Sequence, residues 1–302
     1  MFLKRLSSVL LMLLITTIAA CLLYPWVQQA VAAWTDWDYP PARVFRRIWM
    51  LAVFAGLLIG RKPLGLLSPA RAGFSFNKTA LPNLGVGLAA VFLFLFGLSC
   101  FYLLIGAWNI PETLPIEKLR KRFFEGLLRG ILVSGLEEYI FRGLIFFSLC
   151  RSWPWKRSAV ITSLIFASLH FLEGRGHEAI ANPTAWSAGF QICGMLVSNM
   201  AHEFTFFPDA VGLFIVGMAL CHAAHRTGSL WYGAALHGGW VWYFSFRSSL
   251  LFNAQTVDAL WIGGSRLFNG VIPMLGMLLI FPATQWMAHK GILRETPRQN
   301  SE

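Results

Sequence analysis

The chain has 302 residues, of which 56% are hydrophobic and only 13% are charged. Because a soluble domain carries about 25% charged residues, this composition excludes an ordinary water-soluble protein and indicates one embedded in a lipid bilayer. The formal net charge of +11 does not indicate a nucleic-acid partner. The basic residues stand in short groups between apolar runs and form no long basic face interleaved with aromatic residues.

Eight apolar runs predict membrane-spanning helices, since about 20 apolar residues are needed to cross the hydrocarbon core. They lie at residues 8–31, 44–60, 85–107, 126–150, 157–173, 208–225, 228–247 and 268–288. The runs do not alternate with a period of two, which excludes a transmembrane barrel. The predicted fold is therefore all-α, a polytopic transmembrane helical bundle with about eight spanning helices. A ninth, more polar stretch from Ala185 to Met200 predicts an interfacial or re-entrant helix.

The first run allows two interpretations. Lys4 and Arg5 precede it, as in a signal peptide, and residues 18–21 resemble a lipoprotein cleavage box that ends in Cys21. Apolar sequence continues past Cys21 as far as Ala33, which favours an uncleaved spanning helix. Lipidation at Cys21 is the alternative.

Basic residues near both ends predict that both termini lie inside, as in a bacterial inner-membrane protein. These residues are Lys4, Arg5, Lys290, Arg294 and Arg298. Residues 118–122, which contain four basic side chains, would then fall outside. With their apolar neighbours they predict a basic amphipathic helix at the membrane interface.

Ionisable residues inside a span are costly and usually functional. Glu137, Glu138 and Arg142 lie within the run at 126–150. On an α-helix Glu138 and Arg142 are four residues apart and share a face, which predicts an ion pair. Glu137 is rotated about 100° away, which leaves its carboxylate available as a general base. The alternative is a buried charge network that only packs helices.

Two histidines complete the set of polar residues in predicted spans. His170 follows Phe166 by four residues near the end of one span, so the phenyl ring is expected to orient the imidazole. His237 lies in the middle of another span between small residues, which allow a neighbouring helix to approach closely. Taken singly, each histidine is also compatible with a solvated or hydrogen-bonded structural role.

These residues together resemble the CAAX-processing and bacteriocin-processing family of intramembrane endopeptidases. Glu137, Glu138 and Arg142 match its two-glutamate and arginine motif, and Phe166 with His170 matches its phenylalanine-x-x-x-histidine motif. Phe214, Gly217, residues 227–230 and His237 resemble its later regions. The resemblance covers residues 118–246.

The resemblance implies a role for each matched residue. Glu137 would activate a water molecule, His170 would help to hold it, and His237 would stabilise the oxyanion. Glu138 and Arg142 would support the helix. One position departs from the family pattern: Val241 stands four residues after His237, where the family has asparagine or aspartate. Valine cannot donate a hydrogen bond, and Trp240 or His222 is the candidate replacement.

No cofactor is expected, although a divalent metal such as zinc is an alternative. Its ligands would be Glu137, His170 and His237, since two histidines and one carboxylate can form a zinc site. No HExxH sequence occurs; His177-Glu178 and His202-Glu203 lack the second histidine.

The five cysteines, which are Cys21, Cys100, Cys150, Cys193 and Cys221, form no CxxC pair. They predict buried, inert thiols.

The sequence thus predicts an intramembrane endopeptidase whose partners are a membrane-anchored protein or peptide substrate and the lipid bilayer. A non-catalytic immunity or scaffold protein and an ion-coupled transporter are the alternatives. Residues 1–115 are predicted to form N-terminal transmembrane helices without a motif, residues 116–290 the catalytic core, and residues 291–302 a short polar tail. The loop at residues 174–207 is long enough to control access to the site.

Overall fold

A computed structural model describes residues 2–34, 40–60, 72–170, 180–203, 207–253, 259–263 and 269–296. Within these ranges the chain is almost entirely helical. The helices are α1 (Phe2–Trp34), α2 (Pro41–Gly60), α3 (Ala80–Leu104), α4 (Ile116–Glu137), a π-helix termed π1 (Glu138–Phe146), α5 (Phe147–Leu149), α6 (Trp155–His170), α7 (Ala188–Glu203), α8 (Phe207–Thr227), α9 (Trp231–Leu250), α10 (Ala259–Ile262), α11 (Val271–Leu278) and α12 (Ile280–His289). The predicted all-α class is confirmed.

One small ladder interrupts the helical pattern. The two-residue strands β1 (Trp108–Asn109) and β2 (Phe252–Asn253) pair in an antiparallel arrangement. They join the segment that follows α3 to the segment that follows α9. The carboxyl ends of these two helices are therefore held at the same end of the structure.

Four helical segments of the described chain are long and apolar enough to cross a membrane. They are Leu11–Trp34, Ala80–Leu104, Pro208–Thr227 and Val271–His289, and they correspond to the predicted spans 8–31, 85–107, 208–225 and 268–288. The other four predicted spans form α2, α4 with π1, α6 and α9. Because these are shorter or more polar, their crossing of the bilayer stays a prediction. The stretch at Ala185–Met200 forms α7.

The helices group into two compact units. The first contains residues 1–67 and 168–206, and the second contains residues 68–167 and 207–302. The predicted division of the chain after residues 115 and 290 is a functional division, and it stays a prediction.

In the first unit, α1 contacts both α2 and α7. The core of this unit contains Tyr24 of α1, Phe45 of α2 and Ile192 of α7. The indole nitrogen of Trp49 donates a hydrogen bond to the Thr17 hydroxyl at 2.9 Å, which ties α2 to α1.

In the second unit, α9 is sandwiched between α3 and α4. Small residues allow this close approach, as is common between membrane helices. A Cβ atom at Gly130 of α4 would lie 2.6 Å from the Gly238 carbonyl oxygen, and one at Gly87 of α3 would lie 2.6 Å from Cβ of Ala235. The backbones of all three helices are therefore nearly in contact around His237.

The start of α9 is fixed by backbone hydrogen bonds. The Gly73 carbonyl accepts from the Leu230 amide at 3.0 Å, and the Thr227 carbonyl accepts from the Thr296 amide at 2.8 Å. Gly73 has φ of +109°, a conformation that favours glycine. His237 is six residues after Trp231, so at about 1.5 Å per residue it lies roughly 9 Å from the start of the helix.

Candidate active site

The two glutamates lie at the junction of two helix types. α4 ends at Glu137 and π1 begins at Glu138. Segments of π-helix occur frequently at functional sites. A π-helix has more residues in each turn than an α-helix, so neighbouring side chains diverge by a smaller angle. The sequence predicts that the two carboxylates point in different directions, but both reach the same imidazole.

Glu138 and Arg142 form a buried ion pair. Nη1 of Arg142 lies 2.9 Å from Oε1 of Glu138, and both side chains are fully buried. The pair predicted from their spacing is present. Nη2 of Arg142 also donates to the Gly217 carbonyl on α8 at 3.3 Å, so the arginine links π1 to α8. A buried ion pair needs further hydrogen bonds to offset its desolvation; among the described residues, Oε2 of Glu138 and Nε of Arg142 make none.

His237 lies between the two glutamates. Its Nδ1 atom is 3.0 Å from Oε1 of Glu138, and its Nε2 atom is 3.7 Å from Oε2 of Glu137. The first distance is a hydrogen bond, whereas the second is too long for a direct one and is the kind of gap that a bridging water fills. The imidazole and the Glu138 side chain are buried, and the Glu137 side chain is 14% exposed.

Gly233 makes room for the Glu138 carboxylate. It lies one turn before His237 on α9, and a Cβ atom there would be 3.2 Å from Oε2 of Glu138. The small residues around His237 therefore serve the site as well as the helix contact. Any side chain at position 233 would crowd the carboxylate that holds the imidazole.

The ring of Phe166 lies against the charged residues. Its centroid is 4.5 Å from the guanidinium carbon of Arg142, a cation–π distance, and 6.1 Å from the His237 ring centroid in a T-shaped arrangement. Phe141 packs edge-on against the same ring at 5.2 Å. These contacts are with Arg142 and His237, and the orientation of His170 by Phe166 stays a prediction.

A second layer surrounds Arg142. The Cys221 thiol lies close to the side chains of Ser163 and Arg142, and Cys221 and Ser163 are completely buried. A Cβ atom at Gly217 would lie 2.8 Å from Cβ of Ser163. The sequence does not single out Ser163, and it predicts Cys221 as inert. One sequence feature could have indicated Cys221 as part of this layer. It lies four residues after Gly217 and therefore on the same face of α8.

His170 is the last residue of α6 and belongs to the first unit. Its role beside the glutamates stays a prediction.

The two candidate replacements for the missing asparagine lie in aromatic clusters. The Trp240 ring contacts Phe94 and Phe244, and the His222 ring contacts Trp155 and Phe281. Their role as a replacement donor stays a prediction. Val241 stays a departure from the family pattern.

The predicted metal alternative is untested. Within the described ranges no group of three or more His, Cys, Asp or Glu residues forms a metal-binding cluster. His177 and Glu178 lie outside those ranges, as do parts of the loop at 174–207 that is predicted to control access.

Comparison with protein families agrees with the motifs. Residues 120–243 match the family described as type II CAAX prenyl endopeptidase Rce1-like, and the segment contains both glutamates, Arg142, both histidines and Phe166. No curated protein and no solved structure matches the chain. The family is one of intramembrane peptidases, and the resemblance predicted from the motifs is confirmed. Residues 120–243 are therefore similar to the type II CAAX prenyl endopeptidase Rce1-like family.

Proposed function

We propose that this protein is an intramembrane endopeptidase in which Glu137 activates a water molecule and His237 takes part in proton transfer and in stabilising the oxyanion. The observation that carries the proposal is the position of His237, with Nδ1 at 3.0 Å from Glu138 and Nε2 at 3.7 Å from Glu137. Hydrolysis of a peptide bond requires an activated water and a donor directed at the developing negative charge.

Glu138 sets the orientation of His237. Oε1 of Glu138 accepts a hydrogen bond from Arg142, and an ionised carboxylate can only accept hydrogen bonds. Nδ1 of His237 must then carry the hydrogen atom and donate a hydrogen bond to Glu138. Nε2 is consequently the atom that faces Glu137 and the reaction, as in a histidine oriented by a buried aspartate.

The reaction follows from this arrangement. A water molecule hydrogen-bonded to Glu137 loses a proton to the carboxylate, and the hydroxide attacks the scissile carbonyl. Glu137 passes this proton to Nε2 of His237, which then donates a hydrogen bond to the oxyanion. Collapse of the tetrahedral intermediate breaks the C–N bond, and the proton taken from water passes to the leaving amine. His170 is proposed to hold the water, as the family motif implies.

The divalent metal alternative would use Glu137, His170 and His237. Two histidines and one carboxylate are a ligand set that suits zinc, and a bound metal would lower the pKa of the attacking water. The glutamate mechanism is preferred because it assigns a function to the Glu138–His237 hydrogen bond without a further component.

The substrate is proposed to be a protein or peptide anchored in the membrane. The family description names prenylated CAAX sequences as its substrates. The four apolar helices support an integral membrane protein, and the distribution of basic residues supports a bacterial inner membrane. There the anchor need not be a prenyl group, and a helix or another lipid would serve.

Val241 favours a second candidate, a non-catalytic family member that acts as an immunity or scaffold protein. The valine side chain lacks the hydrogen-bond donor that the family places one turn after the histidine.

Comparison of membrane proteomes tests the proposal. Cells with the wild-type protein are compared with cells in which His237→Ala replaces it at the same level. The proposal expects at least one membrane-anchored protein to accumulate in an unprocessed form in the variant. Identical proteomes, with all anchored proteins processed equally, would contradict it.

A further inference from the structure

Two cysteines of the first unit contact each other across helices that are far apart in sequence. Cys21 lies on α1 and Cys193 on α7, and their thiols lie close enough to interact electrostatically. Cys193 also packs against the hydrophobic cluster that contains Cys21. Both are free thiols.

Gly189 brings the two helices together at this point. A Cβ atom at Gly189 would lie 2.7 Å from Cα of Cys21, so the backbones of α1 and α7 are in contact there. Cys193 follows Gly189 by four residues and therefore lies on the same face of α7. A disulfide needs Cα atoms about 4.4–6.8 Å apart, and Cys193 lies one helical turn, about 5.4 Å along α7, from the point where the two backbones meet at Cys21.

The two thiols differ in exposure. Cys21 is 2% exposed, whereas Cys193 is only partly buried. A reagent that enters from the membrane therefore reaches the sulfur of Cys193 first. The Cys21 thiol, in the cluster against which Cys193 packs, is placed to react with the mixed disulfide that forms on Cys193.

We propose that Cys21 and Cys193 form a redox-active dithiol site, which a small apolar disulfide oxidises to an intramolecular disulfide joining α1 to α7. This inference does not depend on the proposed peptidase activity.

The reaction balances as a thiol–disulfide exchange in two steps. The Cys193 sulfur, as thiolate, attacks one sulfur of the reagent, so that a mixed disulfide forms and one reagent thiol leaves. The Cys21 sulfur, after losing its proton, attacks the Cys193 sulfur and displaces the second reagent thiol. The protein loses two hydrogens, and the reagent disulfide is reduced to two thiols.

The test uses the full-length protein in lipid nanodiscs and 4,4′-dithiodipyridine as the disulfide. After treatment, the protein is digested without reduction and its peptides are identified by mass spectrometry. The proposal expects a peptide pair joined through Cys21 and Cys193, with no pyridyl group left on Cys193. A stable pyridyl adduct on Cys193, or a bond from Cys193 to a different cysteine, would overturn it.

Cys21→Ser is the variant that isolates the second step. Without a resolving thiol, Cys193 should retain its pyridyl adduct, and dithiothreitol should release it. Loss of the adduct in this variant would contradict the assignment of Cys21. Cys100→Ser removes the exposed cysteine of α3 and should leave the cross-link unchanged. If Cys21→Ser does not fold, the cross-linked peptide of the wild-type protein still decides, and the cross-link should disappear when the protein is unfolded in detergent before treatment.

Discussion

His237 donates from Nδ1 to Oε1 of Glu138 over 3.0 Å, and the same oxygen accepts from Arg142 over 2.9 Å. The histidine and the arginine therefore share one acceptor. Since that acceptor lies on π1 and the histidine on α9, the contact fixes two helices and one imidazole together. The catalytic assignment of Glu137 depends on this arrangement.

Removal of Arg142 should destabilise the protein strongly. Arg142→Ala leaves the fully buried Glu138 carboxylate without its partner, and breaking a buried pair in this way costs about 3–5 kcal/mol. Arg120→Ala is the matched control, because its pair with Glu117 has the same 2.9 Å distance but side chains that are 68% and 84% exposed. Exposed pairs contribute about 1 kcal/mol or less. Unfolding free energies measured in detergent should differ accordingly, and equal losses would contradict the burial argument.

A methyl group between α4 and α9 should reduce activity. In Gly130→Ala the new Cβ would lie 2.6 Å from the Gly238 carbonyl oxygen, so α4 must move away and carry Glu137 and Glu138 with it. A misplacement of about 1 Å can cost roughly 10²-fold in rate. Gly135→Ala lies on the same helix with no neighbouring atom within 4 Å. It should retain activity and fold at least as well, since alanine favours a helix. Equal rates for the two variants would count against this positioning.

Restoring the family's donor should raise the turnover number. In Val241→Asn an amide is placed one helical turn after His237, and one oxyanion donor contributes about 10²–10³ in kcat. Val241→Leu, of similar size but apolar, is the control and should not gain. KM should change little in both. A wild-type protein with no turnover and an active Val241→Asn variant would instead support the scaffold alternative.

The glutamate mechanism predicts that activity survives removal of divalent metal. After dialysis against EDTA, the cleavage rate should remain within about twofold of its starting value, because a carboxylate rather than a metal activates the water. The metal content of the active protein is measured in parallel. Loss of activity that stoichiometric zinc restores would establish the metal alternative.

Much of the fold could be predicted, because apolar runs without a period of two can satisfy their backbone hydrogen bonds in lipid only as helices. The number of spans could not, since residues 126–150 and 228–247 mix apolar length with the polar groups of the site. Length and hydropathy then no longer decide whether a helix crosses the bilayer.

The site was predicted where its residues lie within one helical turn of each other. Glu138 and Arg142 are four apart, and their ion pair is present. The contact of Glu138 with His237 was not predicted, because it joins π1 to a helix that is far away in sequence. Ser163 and Cys221 were missed because contacts between distant helices leave no local pattern. The proximity of Cys21 and Cys193 escaped prediction for the same reason.

Cleavage by Glu137→Gln tests the central claim most directly. The purified variant is reconstituted with the membrane-anchored substrate found by the proteome comparison, and release of the cleaved fragment is followed by mass spectrometry. Glu125→Gln, on the same helix but 46% exposed and paired with Lys121, is the control. The account predicts that Glu137→Gln folds and loses about 10²–10⁴-fold in rate, as expected for a lost general base, while Glu125→Gln keeps the wild-type rate. Undiminished cleavage by a folded Glu137→Gln protein would contradict it.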